Sequence, residues 1–137
     1  MRKLNVKEEY IFNSVYKIYY QLFEKDSQVD DSLDTINISS YNNSWWKILY
    51  GNDYHGFAFF NNIYLDYDKD NLTIDDIGLI AHEFVHVIQF RHSSFYTTIR
   101  FIFERFYYGK DAYCTKGTLE YEAMVIQLFI VNNLIGD

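Results

Sequence analysis

Leu79-Ile80-Ala81-His82-Glu83-Phe84-Val85-His86-Val87-Ile88-Gln89 is the stretch on which the reading of this chain turns. Ile77, Ile80, Ala81, Phe84, Val85 and Ile88 fall on one continuous face at the period of a helix. Thr73, followed three residues later by Asp76, marks where that helix starts. Each residue turns a helix by about 100°, so histidines four apart stand one above the other, about 40° apart around the axis. Both imidazoles of His82 and His86 can then reach one metal ion, with Glu83 beside them. They lie opposite the apolar face but are flanked by Leu79 and Phe90, so that side is expected to be partly covered too. A polar pair buried there needs a partner. Zinc accepts neutral imidazole nitrogens, asks for at least one further protein ligand and keeps a position open for water. A carboxylate next to that water can take its proton, which makes HExxH a signature of hydrolysis and not only of metal binding. The competing reading is two ordinarily paired histidines on a core helix. With four His and seven Glu in 137 residues, chance supplies an HExxH about 0.006 times, so the spacing argues for the metal.

Composition bounds the alternatives. A chain of 137 residues is expected to form one domain with a single core. Apolar residues make up 49% and aromatics 20%, with fourteen Tyr and twelve Phe, so a folded core is expected rather than disorder. There is no proline, which periodicity does not explain. The net charge of −7 argues against nonspecific adhesion to nucleic acid or to an anionic membrane. Arg91, His92, Arg100, Arg105 and Lys110 gather locally and read as a solvated helix face. Cys114 has no second cysteine to pair with, which leaves the compartment open. Met1 to Glu9 lacks an apolar h-region, so no secretory signal peptide is expected. That is compatible with a cytoplasmic location or with export by a signal-independent route. No run of 18 apolar residues suggests a membrane span.

The remaining segments arrange themselves around the HExxH helix. Ile11, Val15, Ile18 and Leu22 predict an amphipathic helix from Val6 to Glu24, within residues 1–25, packed over a sheet. Lys25 to Thr35, with Asp26, Asp30, Asp31 and Asp34, reads as a solvated loop, and Ile36 to Ser40 as a short strand. Trp45, Trp46, Ile48, Leu49 and Tyr50 form an apolar cluster expected in the core. Phe57-Ala58-Phe59-Phe60, Asn61-Asn62 and Ile63-Tyr64-Leu65 predict a hairpin turning on the Asn pair, closing a strand region over 36–67. Its outer strand either closes the sheet or offers an edge to an extended peptide. Asp66, Asp68 and Asp70 begin a calcium-loop pattern, but Asn71 and Ile77 stand where Gly and Glu belong, so an acidic loop is the better reading. Helices are predicted over 73–92, over 94–108 with Phe95, Ile99, Ile102 and Phe106 as a core or lid face, and over 118–133.

Three residues compete for the third ligand position. His92 has the spacing of HExxHxxGxxH, with Met124 as a methionine-turn mimic, but Gln89 occupies the Gly position. On a continuing helix His92 lies about 9 Å beyond His86 and faces elsewhere. Glu120 and Glu122 open the last helix about 200° apart, so only one can face the ion. Glu120 shares its side with Met124 and Gln127, Glu122 with Ile126 and Phe129, and periodicity does not choose between them.

The stretch Leu79 to Gln89, preceded by Gly56-Phe57-Ala58-Phe59-Phe60-Asn61-Asn62-Ile63-Tyr64-Leu65 and followed by Glu120-Tyr121-Glu122-Ala123, resembles small bacterial metallopeptidase domains of the gluzincin type. Such domains accompany extracellular contractile injection systems and polymorphic toxins. The resemblance covers roughly Gly56 to Ala123 and implies an α+β, zincin-like fold. In that fold a small antiparallel or mixed sheet with a β-hairpin packs on the HExxH helix, and a C-terminal helix carries a ligand. It also selects Glu120, the first residue of a Glu-x-x-Ala match, although Met124 stands where relatives carry Asp or Asn. The implied function is a Zn2+-dependent metallohydrolase, a peptidase acting on a peptide or protein. His82, His86 and Glu120 would hold the metal, and Glu83 would activate a zinc-bound water. Tyr113, Tyr121 and His55 are candidates for stabilising the oxyanion. The alternative is a noncatalytic zinc-binding interaction module or toxin-associated domain, and, further off, a helical packing domain without metal.

Overall fold

A computed structural model describes residues 1–23, 29–50 and 56–136. The chain is α+β. Five α-helices run Val6–Phe23 (α1), Trp45–Tyr50 (α2), Ile74–His92 (α3), Ser94–Tyr108 (α4) and Leu119–Gly136 (α5), with a 3-10 segment at Gly109–Cys114. Four short strands, Arg2–Lys3 (β1), Asn37–Ser39 (β2), Gly56–Phe59 (β3) and Asn62–Leu65 (β4), form a mixed sheet in the order β1-β2-β4-β3. β2 runs parallel to β4, while β1–β2 and β3–β4 are antiparallel. Asp26 and His55 lie outside the described residues.

α3 organises everything else. Thr73 caps it in a reciprocal box: the Thr73 hydroxyl accepts from the Asp76 amide, and the Asp76 carboxylate accepts from the Thr73 amide, both at 3.1 Å. From Ile80 to Phe90 every residue of this helix is buried. α5 packs along it, α1 crosses it, and β3 and β4 cover another side. Gly78 permits the closeness of α5, since a Cβ there would lie 2.6 Å from Val131 Cγ2. Most of the buried apolar side chains form one cluster, drawn chiefly from α1, the sheet, α3 and α5.

Several expectations are corrected. α1 packs on α3 and α5 rather than over the sheet. It buries Ile11, Phe12, Val15, Tyr19 and Tyr20 and leaves Leu22 exposed, so its inward stripe is more aromatic than the aliphatic period indicated. Trp45, Trp46 and Ile48 are not core residues: Trp45 and Ile48 are exposed, and Trp46 stacks on Phe57 with ring centroids 4.2 Å apart. The hairpin turns one residue early, with Phe59 paired to Asn62 and Phe60-Asn61 as the loop. Positive φ (56°) therefore falls on Phe60, not on an asparagine, and the Phe60 ring stacks on Phe90 at 5.2 Å. That aromatic contact offsets a backbone conformation unfavourable for a bulky residue. α5 runs to Gly136, beyond the expected 133. Most consequentially, α4 turns its apolar face outward: Phe95, Ile99, Ile102 and Phe106 are exposed, while Thr97 and Glu104 are buried. Among the described residues no helix is long and apolar enough to cross a membrane.

The start of the chain is fastened by a buried carboxylate. Glu8 is fully buried and accepts from Arg2 in a two-pronged pair at 2.8 and 2.7 Å, from the Asn5 amide at 2.9 Å, and from the Tyr67 hydroxyl. Burial alone would raise the Glu8 carboxyl, but the Arg2 and Tyr67 hydrogen bonds outweigh it and hold it below its ordinary value. A depressed carboxyl stabilises the fold above its unfolded pKa and loses that contribution as pH falls through the folded value. Replacing Glu8 by Gln is expected to cost about 2 kcal/mol at neutral pH, less than the roughly 3–5 kcal/mol of a fully buried broken pair because Arg2 reaches solvent. Urea melts of wild type and variant should differ most near neutrality and converge in acid.

Candidate metal centre

His82 and His86 project from one side of α3, with ring centroids 4.9 Å apart, and Glu120 approaches them from the first turn of α5. Glu120 Oε1 lies 3.5 Å from His82 Nε2 and pairs with His86 Nε2 through the same oxygen. One ligand atom from each residue falls within 4.8 Å of the others, so this group could hold a metal ion. Both histidines and Glu83 are buried.

The other ring nitrogens are tied down. His86 Nδ1 donates to Gln89 Oε1 at 2.8 Å, and His82 Nδ1 donates to Gln127 Oε1 at 2.9 Å. The Gln89 amide cannot be reversed, because its NH2 group already donates to the Leu119 carbonyl and to Glu122 Oε1, each at 3.0 Å. Each imidazole therefore presents its Nε2 lone pair to the shared space when neutral, as a metal ligand must. Gln89 and Gln127 were not singled out as site residues in the sequence. Their positions, three after His86 and seven after Glu120, are the signal that could have found them.

The rival third ligands are turned to other work. Glu122 accepts from the Tyr19 hydroxyl at 3.0 Å as well as from Gln89, so it supports His86 through Gln89 and does not face the ligand space. His92 Nε2 is hydrogen-bonded to the Tyr20 hydroxyl at 3.0 Å, on the side of α1. The helix continues through Gln89, and no glycine lets it swing back. Of the candidate oxyanion donors, Tyr113 lines the cleft at the site, its ring 5.8 Å from that of His82. Tyr121 is not part of that lining, and His55 falls outside the described residues.

Electrostatics separates two carboxylates. Burial would push Glu120 up, but His86 and His82 hold it well below the ordinary range. Burial would pull His86 down, yet Glu120 outweighs it and raises this imidazole to about 9. Glu83 is raised, chiefly by burial; the neighbouring histidines oppose this and Glu120 adds to it. Among the described residues, Glu83 Oε2 is the buried side-chain polar atom without a hydrogen-bond partner. Leaving a buried carboxylate oxygen bare is costly, and such an orphan next to three converging ligands marks a place for water or an ion. Gly56 lets the end of β3 close on this carboxylate, since a Cβ there would sit 3.4 Å from Glu83 Oε1 and 2.6 Å from Leu65 Cδ1.

The site opens into a cleft of about 660 Å³. β3 and Trp46 form one wall and α4 the other, with Phe90, Phe101 and Phe106 among the lining side chains. Comparison with protein-family models, curated proteins and solved structures finds no match to this chain.

Elemental analysis of purified variants, with folding checked by circular dichroism, tests the ligand set. His82→Ala, His86→Ala and Glu120→Ala are expected to lose bound metal, while Glu122→Gln and His92→Ala retain it. Gln89→Ala should weaken metal affinity about 10- to 100-fold, the usual cost of freeing a ligand histidine from its support.

Proposed function

We propose that this chain is a zinc-dependent metallohydrolase, a peptidase of the gluzincin type in a zincin-like fold. One observation carries the reading: two imidazole Nε2 atoms and the Glu120 carboxylate converge beside a buried Glu83 whose Oε2 has no partner. A two-histidine, one-carboxylate donor set suits zinc and leaves a coordination position open. Bound there, the metal supplies Lewis acidity, lowering the pKa of a water and polarising a carbonyl.

The chain's own groups do the rest. His82, His86 and Glu120 hold the ion, and Gln127 and Gln89 keep the two imidazoles in register. Glu83, whose carboxyl is raised by burial, is placed to accept the proton of the attacking water and to return it to the departing amine. Tyr113, at the cleft wall beside His82, supplies a hydroxyl for the developing oxyanion.

Substrate has a natural bed. β3 is an edge strand of the sheet, and its residues Gly56 to Phe59 line the same cleft as Glu83, His86 and Glu120. An extended peptide added to that edge gains main-chain hydrogen bonds, and its alternate side chains enter a cleft lined by Phe57, Phe59, Phe90 and Phe101 among others.

The decisive comparison is Glu83→Gln in a zinc-loaded preparation assayed against a quenched peptide library. Metal content is expected to stay stoichiometric while turnover falls about 10²- to 10⁴-fold. Tyr113→Phe should lower kcat about 10- to 10³-fold with little change in KM. Wild-type protein that binds zinc tightly but cleaves nothing would leave only a zinc-binding module.

A further inference from the structure

α4 inverts the usual order of an amphipathic helix. Thr97 and Glu104 face the domain, where Thr97 Oγ1 donates to the Gln89 carbonyl and Glu104 accepts from the Leu119 amide and from Arg100. At about 100° per residue, the outward face runs from Ile102 through Phe95, Phe106, Ile99 and Phe103 to Tyr107 in an arc of about 140°. No residue in that arc is charged. Phe106 is 94% exposed and Phe95 79%. Scattered exposed apolar residues are ordinary, but a continuous, largely aromatic stripe over more than three turns of helix marks an interaction surface.

Charge says what covers it. Arg105 follows the stripe on the Ile102 margin and Arg100 on the Tyr107 margin. Lys116 shares a surface hollow with Ile99 and Phe103. Within Ser94 to Lys116, Arg100 is paired with the buried Glu104, and the other charges are three cations, Arg105, Lys110 and Lys116, against Asp111, in a chain whose net charge is −7. The average charge argues against nonspecific adhesion to anionic membranes, whereas this one face is locally cationic. Two copies meeting through the same patch would bring these like charges together. An anionic lipid surface complements them, takes the aromatic stripe into its interface and seats tyrosine at the headgroup level. A helix of 15 residues, about 22 Å long, suits lying in that interface rather than crossing it.

We propose that α4 docks the protein on anionic lipid bilayers, with the Phe95–Phe103–Phe106 stripe inserted and Arg105, Lys110 and Lys116 over the headgroups. Ile102, Arg105 and Phe106 also line the cleft, so docking brings the cleft mouth to the membrane surface. The proposal does not require a metal or catalysis.

The test is co-sedimentation of the full chain with vesicles of phosphatidylcholine alone or mixed in equal parts with phosphatidylglycerol. Wild type is expected to pellet with the mixed vesicles, less with the neutral ones, and to be released by salt. Phe95→Gln/Phe103→Gln, at exposed positions outside the cleft lining, should lower partitioning at least about tenfold. Arg105→Gln/Lys110→Gln should lower it about 10- to 30-fold and flatten the salt dependence. The idea is overturned if wild type stays in the supernatant with anionic vesicles, or if the double phenylalanine variant binds as wild type does. It is equally overturned if sedimentation velocity shows a dimer that this variant dissociates while vesicles capture neither protein, since the stripe then covers a second copy. Chelator should leave the vesicle result unchanged even where it abolishes hydrolysis, which separates this proposal from the catalytic one.

Discussion

α3 has no dry side to spare and no wet side to retreat to. With eleven consecutive residues buried, Ile80 to Phe90, its His, Glu and Gln side chains cannot be left to solvent, and each unpaired polar group there costs free energy of order 1–3 kcal/mol. The helices around it are arranged to meet that demand. α5 brings Glu120 to the imidazoles, Gln127 to His82 and Glu122 to Gln89, and α1 adds the Tyr19 hydroxyl behind Glu122. What remains unmet is one oxygen of Glu83. That oxygen stands beside the one group of side chains, His82, His86 and Glu120, that could hold a metal ion among the described residues.

Precision at such a centre depends on where the ligand helices begin. The Thr73–Asp76 box fixes the first turn of α3. α5 is fixed by a device that comes from elsewhere in the chain: the Glu104 carboxylate accepts from the Leu119 amide at 2.8 Å, one residue before Glu120. A carboxylate at a helix N-terminus satisfies a bare amide and complements the helix dipole. Arg100 holds that carboxylate and also the Gly117 carbonyl, so the turn into α5 is clamped on both sides.

The sequence carried the part of this design that obeys periodicity. The span of α3, its Thr73 start, the two-histidine face and the hairpin beside it follow from residue spacing, as do the limits of α4. Spacing could not choose between Glu120 and Glu122, because both sit in the first turn and the choice depends on which neighbours each one meets. Likeness to a family pattern favoured Glu120; in the structure Glu120 stands beside both imidazoles, while Tyr19 and Gln89 engage Glu122. Trp46 looked like core from its apolar neighbours and instead forms a cleft wall, since burial in a cleft and burial in a core leave the same trace in composition. Phe60 took the positive φ that asparagine was expected to take, because a stacked partner, Phe90, comes from a distant segment.

α4 shows why a hydrophobic stripe locates a helix without orienting it. The stripe is genuine, and the ordinary rule turns it inward. Here the surface that α4 must cover is polar: a Gln89 carbonyl left open where α3 ends and a Leu119 amide where α5 begins. Thr97 and Glu104 match those groups and phenylalanine could not, so polar complementarity sets the rotation and sends the aromatic residues out. The same rotation places Phe101 over the His86 ring, with centroids 4.8 Å apart, and Ile102 at the cleft wall. Turning α4 back to bury its stripe would uncap the helix that carries Glu120 and strip the cover from His86. The exposed aromatic face is thus a consequence of building the candidate metal centre, and its cost in water is what an interfacial partner would relieve.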